Sequence, residues 1–505
     1  MMLLSQAAKV LNARLIPGNG DVRFNAVSTD TRKIQAGDLY VALRGEKFDG
    51  ADFVAQAASS GAVAALVNQD SDRNGLPRTT KELNPKLLRE GFRIQDSGFP
   101  IILVADTRLA LGQLAAYWRS QFDIPLVAIT GSNGKTTVKE MLASILRAAS
   151  GSDEAVLATK GNFNNDIGMP LTLLQLNEQH RYAVIEMGMN HPGEIDYLTR
   201  IACPQVALIN NASGAHLEGM GSVEAVAHAK GEIFAGLQHE GSAIINADDE
   251  YAPLWRSLAS VHSLLEFGLN GNADVSGEWR SNATGLRLTA QTPSGDFSAD
   301  LQVPGEHNAR NALAATAAAI ALNLSLENIV AGLEKFGGVA GRLQRKAARN
   351  GAVVIDDTYN ANPASLRAAI AVLAQAEGHR VLVLGDMGEL GQNAAEFHAG
   401  IGDAARQSGI EKLYALGELS RNAVREFGSE AQHFECVEEL QKALEKELDA
   451  GTTVLVKGSR FMKMERVVSY CVDTEKGEGG KGKGSAGASI SPSPFPLSSS
   501  PEKKE

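Results

Sequence analysis

The 505-residue sequence is poor in cysteine, in positive charge and in long apolar runs. Its three cysteines, Cys203, Cys436 and Cys471, lie far apart without a C-x-x-C spacing, which argues against disulfides and a zinc site. The net charge of −11 argues against a general nucleic-acid binder, although a local anion site stays compatible with it. The most apolar stretch, at 312–322, is well short of the ~20 residues that cross a bilayer. We therefore expect neither a nucleic-acid partner nor membrane insertion.

The N-terminal segment MMLLSQAAKVLNARL also lacks the basic start of a signal peptide, so we expect a cytoplasmic location. Hydrophobic content of 44% and charged content of 21% are typical of a soluble globular protein. At roughly 100–200 residues per domain, three domains are expected. We predict an N-terminal domain at 1–100 with a polar insertion at about 70–98, a central domain at 101–341, a C-terminal domain at 342–475 and a disordered Gly/Ser/Pro-rich tail at 476–505.

Short apolar segments alternate with helical patterns through the second and third regions. The segments PLVAIT, YAVIEMG, QVALINN and SAIINAD belong to the central region, and AVVIDD, RVLVLGD, KLYALG and TTVLVKG to the third. Strands that alternate with helices indicate parallel βαβ units. The sequence therefore predicts an α/β protein with a central doubly wound, mainly parallel sheet, a C-terminal Rossmann-like α/β domain and a small N-terminal α/β domain.

The segment AITGSNGKTT at 128–137 resembles a phosphate-binding loop but departs from the G-x-x-x-x-G-K-[ST] pattern. Gly131 stands only three residues before Gly134. The residues that follow form one apolar stripe at helical spacing, so the glycines lie in a strand-to-helix turn. There, backbone N–H groups can bind phosphate oxygens, Lys135 can reach the phosphates and Thr136 can bind Mg²⁺. A glycine turn beside a solvated lysine is the alternative, and the ordered combination favours a shortened phosphate loop.

Three further residues are candidates for the same site. Glu186 closes the apolar strand YAVIEMG, where an acid is costly without a purpose, so a metal-binding role is favoured over a capping role. His216 follows the next strand, and here a metal ligand and an ordinary loop histidine are equally compatible with the pattern. Lys230, taken by itself, has the pattern of an exposed helix lysine.

The order of these and other segments resembles the Mur ligase family, whose members form amide bonds with ATP in cell-wall precursor synthesis. The resemblance covers essentially residues 1 to 470, and only the insertion and the tail depart from it. The segments are TGSNGKTT, GNFNNDIGMP (161–170), EMGMNHPGEI (186–195), AHLEGMGS (215–222), KGEIF (230–234), NADD (246–249), GEHNARNALAA (305–315), GR (341–342) and DDTYNANPAS (356–365).

The segments DDTYNANP, LGDMGELG (384–391), STDTR (28–32), FDG (48–50) and KGSRFMKME (457–465) resemble one branch of the family. The resemblance implies an enzyme that joins D-alanyl-D-alanine to UDP-N-acetylmuramoyl-tripeptide through an acyl phosphate. A sister ligase adding the third amino acid, folylpolyglutamate synthetase and a phosphate-loop ATPase without ligation remain alternatives. A scaffold without catalysis is disfavoured, because the candidate catalytic residues are all present. We expect a monomer that uses ATP and Mg²⁺.

The resemblance also implies roles for individual residues. ATP would contact the loop Gly131, Ser132, Asn133, Gly134, Lys135, Thr136 and Thr137, together with Asn246, Asn308, Asn311, Arg342 and Asp357. Metal would be held by Thr136, Glu186, His216 and a carbamylated Lys230, with Lys135, Lys230, His216 and Arg342 as the catalytic set. Substrate would contact Thr31, Arg32, Asn164, Tyr359, Asn360, Asn362, Ser365, Lys457 and Arg460. For Lys457 and Arg460, a pair of solvated cations is an equally strong alternative.

Overall fold

The structure is a computed structural model of the chain. It describes residues 1–16, 20–45, 48–69, 98–214, 217–282 and 285–472. The predicted insertion at about 70–98 (apart from Gly98), the predicted tail at 476–505 and the candidate ligand His216 lie outside the described residues.

The first region consists of short strands and helices. Its strands are β1 Met2–Leu3, β2 Arg14–Ile16, β3 Arg23–Phe24, β4 Val27–Ser28, β5 Leu39–Val41, β6 Ala64–Asn68 and β7 Ile101–Val104, and its helices are α1 Leu4–Val10 and α2 Val54–Ser59. One sheet has the strand order β2-β7-β6-β5-β4, and β1 pairs with β3. Because β7 belongs to this sheet, we propose that the first domain extends past residue 100, at least to Val104.

The second region contains the longest sheet. Its strands are β8 Leu126–Thr130, β9 Val156–Ala158, β10 Tyr182–Glu186, β11 Val206–Ile209, β12 Ser242–Asn246, β13 Ser263–Gly268, β14 Val275–Ser281, β15 Leu286–Gln291 and β16 Phe297–Leu301. Its helices are α3 Thr107–Arg119, α4 Lys135–Ser150, α5 Gly168–Leu173, α6 Glu194–Ala202, α7 Leu217–Met220, α8 Val223–Gly231, α9 Ala252–Leu258, α10 Glu306–Ala321 and α11 Leu326–Lys335. The strand order is β16-β15-β14-β13-β12-β11-β8-β10-β9.

The central sheet is parallel from β9 to β14, and apolar side chains cover both of its faces. In β8, Leu126 and Ala128 pack into one hydrophobic core, while Val127 and Ile129 pack into the core on the opposite face. Strand β8 lies between β10 and β11, where the strand order reverses. Such a reversal opens a crevice at the carboxyl ends of the strands. The phosphate loop follows β8 directly and therefore lies at this crevice.

The third region forms a separate sheet with one antiparallel edge strand. Its strands are β17 Gln344–Ala347, β18 Val353–Asp357, β19 His379–Gly385, β20 Lys412–Leu416, β21 Ala431–Phe434 and β22 Thr452–Lys457. Its helices are α12 Pro363–Ala374, α13 Ala394–Gln407, α14 Arg421–Phe427, α15 Val437–Glu445 and α16 Glu465–Val472. The order is β17-β18-β22-β19-β20-β21. The loops after β18, β19 and β22 meet at one edge because these strands are parallel.

The sheets confirm the predicted fold class of an α/β protein with mainly parallel sheets. The first and central regions are not separate in their packing, since one hydrophobic core includes residues from both. Within the part of the chain that the structure describes, no helix is long and apolar enough to cross a membrane.

Candidate active site

The phosphate loop is shaped by a glycine at the start of α4. Gly134 caps this helix with φ +78°, and a Cβ there would lie 2.5 Å from the side chains of both Asn210 and Asn311. The loop is also fixed by Asn211, whose side-chain oxygen accepts from the Asn133 N–H at 2.8 Å. The first N–H groups of a helix have no partner within it and favour anions. The geometry therefore suits a phosphate group above the loop.

A buried asparagine supports the loop from the neighbouring strand. Asn210, which follows β11, donates to the Asn133 carbonyl at 3.0 Å and to Asn311 Oδ1 at 2.9 Å. Asn246 donates to the Asn210 carbonyl at 3.0 Å, and its own Oδ1 accepts from the backbone of Asp248. Asn210 was not among the residues predicted for the site, although its place at the polar end of the apolar segment QVALINN was a signal.

A chain of polar contacts joins the loop to the strand end at Glu186. The Thr136 hydroxyl donates to Glu186 Oε2 at 2.9 Å, and the Asn164 amide donates to Oε1 at 2.8 Å. Arg342 donates to the Thr136 hydroxyl at 3.0 Å and so reaches this group from the third region. Glu186 is buried, with 3% of its surface exposed. The structure therefore brings four predicted site residues together, and it ties Asn164, predicted to contact substrate, to the carboxylate.

The Lys135 ammonium binds back to its own loop, where it donates to the Gly131 carbonyl at 2.6 Å. Burial lowers the pKa of this ammonium, and the carboxylate of Glu186 opposes that shift. The charge of Arg342 lowers the pKa further, and that of Glu389 raises it. Two cations, Lys135 and Arg342, therefore bind groups of this loop, an arrangement that suits a multiply charged anion.

Lys230 is buried, whereas its sequence pattern alone suggested an exposed lysine on a helix. It lies on α8 with 1% of its surface exposed. Burial lowers the pKa of its ammonium well below the ordinary value, and the charge of Lys135 acts in the same direction. The sequence could not reveal this burial, because it results from the packing of α8 against α6, α7 and α9.

The third region also contacts the phosphate loop. Asn362 caps α12 through Ser365 and donates to Asn133 Oδ1 at 2.7 Å. The Arg342 guanidinium lies over the Tyr359 ring, 4.3 Å from its centroid. Within the described residues, the buried Arg342 Nε has no hydrogen-bond partner. A donor left unsatisfied in this way fits an anion that is bound in the crevice.

Asp357 and Lys457 form an internal ion pair at the ends of β18 and β22. Lys457 Nζ lies 2.6 Å from Asp357 Oδ2 and donates to the Asn360 carbonyl at 2.9 Å, with 3% of the residue exposed. Burial raises the pKa of the Asp357 carboxyl, and Lys457 opposes that shift. The alternative of a solvated Lys457 is therefore wrong. By contrast, Arg460 is exposed and pairs with Glu465 at 3.1 Å.

The predicted adenine residues lie at the start of α10. Asn308 donates to the Pro304 carbonyl at 2.7 Å, and Asn311 donates to Asn308 Oδ1 at 3.3 Å. His307, directly before Asn308, has its pKa lowered to about 4 by burial and by the charges of Lys457 and Arg310. The adenine contacts themselves stay a prediction.

The predicted UDP residues belong to the first region. Thr31 and Arg32 form a single helical turn that Asp30 caps, and Arg32 binds both carboxylate oxygens of Asp30 at 2.9 and 2.8 Å. Their contact with substrate remains a prediction.

The oxygen atoms near the loop fit Mg²⁺. The Thr136 hydroxyl and the Glu186 carboxylate are hard oxygen donors, which Mg²⁺ prefers. The described residues contain no cluster of three or more His, Cys, Asp or Glu side chains that could hold an ion. This sparse set suits Mg²⁺, which keeps several waters and shares substrate phosphates. Fold and site together define an enzyme of the phosphate-loop class.

Comparison with known proteins identifies the family. Three models match the chain: "Mur ligase family, catalytic domain" at 23–119, "Mur ligase middle domain" at 129–319 and "Mur ligase, glutamate ligase domain" at 341–460. A UDP-N-acetylmuramoyl-tripeptide–D-alanyl-D-alanine ligase of Haemophilus influenzae is 42% identical over 92% of this chain and 96% of that protein. The chain belongs to the Mur ligase family and is an ATP-dependent ligase.

Solved structures agree with this assignment. MurF from Acinetobacter baumannii matches with a TM-score of 0.82 at 36% identity, covering 92% of this chain and 97% of that chain. The MurF ligase of Thermotoga maritima in complex with ADP matches with a TM-score of 0.74 at 25% identity, covering 89% and 97%.

Proposed function

We propose that this enzyme joins D-alanyl-D-alanine to UDP-N-acetylmuramoyl-tripeptide with ATP, in cytoplasmic synthesis of the peptidoglycan precursor. The names of full-length relatives support this substrate pair. The observation that best supports this chemistry is the hydrogen bond from Arg342 to Thr136, because it brings a cation of the third region to the loop that carries Lys135. We also propose that the enzyme acts as a monomer.

The residues at the loop suit a reaction that brings anions together. A carboxylate is a poor acyl donor, so ATP supplies the phosphoryl group that turns it into an acyl phosphate. Lys135 and Arg342 would hold the phosphates from opposite sides and lower the repulsion between the two anions. The amine of the dipeptide would then displace phosphate at the acyl carbon.

The metal would be held at the polar chain around Glu186. Thr136 and Glu186 supply oxygen atoms, and His216 is proposed from the family resemblance as a further ligand. Bound Mg²⁺ would neutralise charge that develops on the phosphates. Asn164 would orient the Glu186 carboxylate through its hydrogen bond.

We assign the remaining contacts with ATP and with the UDP substrate to individual residues. Asn308, Asn311 and Asn246 would lie near the adenine, Asp357 near the ribose, and Thr31 and Arg32 at the UDP part. Tyr359, Asn360, Asn362, Ser365, Lys457 and Arg460 would line the substrate side. For Asp357 and Lys457, this requires that their ion pair exchange or share its hydrogen bonds when substrate binds.

Lys230 is proposed to work as a carbamate. A buried amine whose pKa is lowered by burial and by Lys135 is available in its neutral, nucleophilic form. Addition of CO₂ to the neutral amine, with loss of one proton, would turn it into a carbamate, a carboxylate-like ligand beside the metal. Lys230→Ala should lose most activity and recover part of it with added short carboxylates such as acetate. Full activity of the alanine variant, or an inactive variant that no carboxylate restores, would contradict this role.

The proposed function is tested by phosphate release from ATP with UDP-N-acetylmuramoyl-tripeptide, with and without D-alanyl-D-alanine. We expect release that requires both substrates and a product heavier by one dipeptide less water, as measured by mass spectrometry. Release that responds to a single amino acid or to glutamate would instead indicate a sister ligase. Release that is indifferent to every acceptor would indicate an ATPase without ligation.

A further inference from the structure

A buried lysine on the phosphate-loop helix has no part in the proposed reaction. Lys139 lies on α4, three residues after Thr136, and 1% of its surface is exposed. Residues three apart are neighbours on the same side of a helix. An ammonium that is removed from water costs free energy unless other hydrogen bonds replace those to water. A methionine would fill similar space without that cost, so the contacts of the ammonium require an explanation.

The Lys139 ammonium is held by two groups. It donates a hydrogen bond to the Thr159 carbonyl, and it lies 3.0 Å from Glu140 Oε1. The Glu140 side chain is 32% exposed, so water screens its attraction for the ammonium. The hydrogen bond to Thr159 is therefore the contact that ties Lys139 into the interior of the central region.

Thr159 in turn holds the end of the strand that carries Glu186. It directly follows β9, an edge strand with one neighbour in the described sheet, and it is 1% exposed. Its N–H donates to the Val184 carbonyl at 3.1 Å, and its hydroxyl accepts from the Glu186 N–H at 2.9 Å. Lys139 therefore binds, from the helix, a strand end that has a neighbouring strand on one side only.

The loop after Thr159 also reaches the Glu186 carboxylate. Asn164, five residues further along the chain, donates to Glu186 Oε1 at 2.8 Å. The Thr136 hydroxyl donates to the other carboxylate oxygen at 2.9 Å. Helix α4 thus holds Glu186 at two points. Thr136 binds the carboxylate directly, and Lys139 acts on the backbone through Thr159.

We propose that Lys139 is a positioning residue for the metal site. Its buried ammonium fixes Thr159 and thereby sets the orientation of the Glu186 carboxylate as a metal ligand. This inference rests on the proposed function, since it requires that Glu186 binds Mg²⁺. Lys139 itself touches neither the metal nor ATP in this assignment, because its ammonium is bound to Thr159 and Glu140.

Calorimetric titration of the enzyme with ATP, with and without Mg²⁺, tests this role independently of turnover. Lys139→Met removes the ammonium and keeps an apolar chain of similar length, and Lys139→Arg restores a cationic donor. Arg147→Met removes a cation further along α4, 4.0 Å from Glu140, and serves as the matched control.

The expected effect is confined to the metal. In Lys139→Met, the gain in ATP affinity that Mg²⁺ provides should fall about tenfold, as for lost support of a metal ligand. The ATP affinity without Mg²⁺ should stay within about twofold of the wild type, because the phosphate loop is unchanged. Lys139→Arg should recover part of the gain, and Arg147→Met should keep all of it.

A second substitution tests the route through Thr159. Thr159→Val removes the hydroxyl that accepts from Glu186 and keeps the shape of the side chain, so the Mg²⁺-dependent gain should again fall about tenfold. If the two residues act through one route, the Lys139→Met/Thr159→Val double variant should lose much less than the about hundredfold product of two independent effects. Thr159→Val carries the test alone if Lys139→Met does not fold.

An ordinary Mg²⁺-dependent gain in Lys139→Met or in Thr159→Val, equal weakening of ATP with and without Mg²⁺, or full additivity in the double variant would each overturn the inference. Glu186→Gln tests the metal role of Glu186 separately. If Glu186→Gln keeps the gain, the metal site of the proposed function is wrong. If it loses the gain while Lys139→Met keeps it, only the positioning role of Lys139 is wrong.

Discussion

Replacing Gly134 with alanine tests whether the phosphate loop has the geometry described. The residue adopts φ +78°, and its new Cβ would lie 2.5 Å from Asn210 Nδ2 and 2.5 Å from Asn311 Oδ1. These two atoms are hydrogen-bonded to each other at 2.9 Å. The methyl group would therefore enter a buried hydrogen bond and also force an unfavourable backbone conformation.

The expected loss of stability has two parts. The left-handed conformation costs an L-residue about 1–2 kcal/mol. Separating the buried Asn210–Asn311 pair costs about 1–3 kcal/mol more, since both groups lose their partner. Gly151, at the other end of α4, has a similar φ of +67° and no atom within 4 Å of a Cβ. Gly151→Ala should therefore show the conformational cost alone, and Gly134→Ala should exceed it by about 1–3 kcal/mol.

Urea unfolding of the two variants measures this difference in stability. Calorimetric titration with Mg²⁺-ATP measures how well the loop of each variant still binds the nucleotide. We expect the affinity of Gly134→Ala for ATP to fall about tenfold or more, because the displaced loop no longer presents its N–H groups. Gly151→Ala should bind ATP as the wild type does. Equal stability losses in the two variants, or normal ATP affinity in Gly134→Ala, would refute the geometry.

Two further predictions concern charge. Lys135→Ala should abolish phosphate release without lowering the thermal unfolding midpoint, because the burial that lowers the pKa of Lys135 disfavours its charge in the folded state; residual turnover would contradict this. Burial also lowers the pKa of His398 from 6.5, so its neutral form stabilises the fold above about pH 6.5 and this stability is lost as the pH falls. Below about pH 6.5, His398→Gln should reduce the slope of the free energy of unfolding against pH by up to about 1.4 kcal/mol per pH unit. An unchanged slope would show that His398 is not the source of this pH dependence.

The sequence was sufficient to predict the phosphate loop and its place in the fold. Strand β8, the loop and α4 follow from local apolar patterns and glycines, and the structure confirms the helix start at Lys135. Glu186 is also confirmed as the last residue of its strand, since an acid that ends a buried strand is conspicuous in the sequence. These features depend on neighbours along the chain.

Burial and pairing between distant segments could not be predicted in this way. The pattern around Lys230 is that of a surface helix, and only tertiary packing removes this lysine from water. The Asp357–Lys457 pair joins residues 100 positions apart, so no local spacing indicates it. Asn210 was visible as a polar strand end, but its hydrogen bonds to Asn133 and Asn311 arise from three separate elements.

The unsatisfied polar atoms point to what completes the site. Within the described residues, Arg342 Nε and Asn210 Oδ1 are buried without partners, and both residues adjoin the phosphate loop. A buried donor without a partner costs free energy. An anion that accepts a hydrogen bond from Arg342 therefore binds with a larger gain in free energy than it would beside a donor that already has a partner. Because Arg342 comes from the third region and Thr136 from the central one, that anion would also hold the two regions together. We therefore expect phosphate binding to strengthen the contact that Arg342 makes between the two regions.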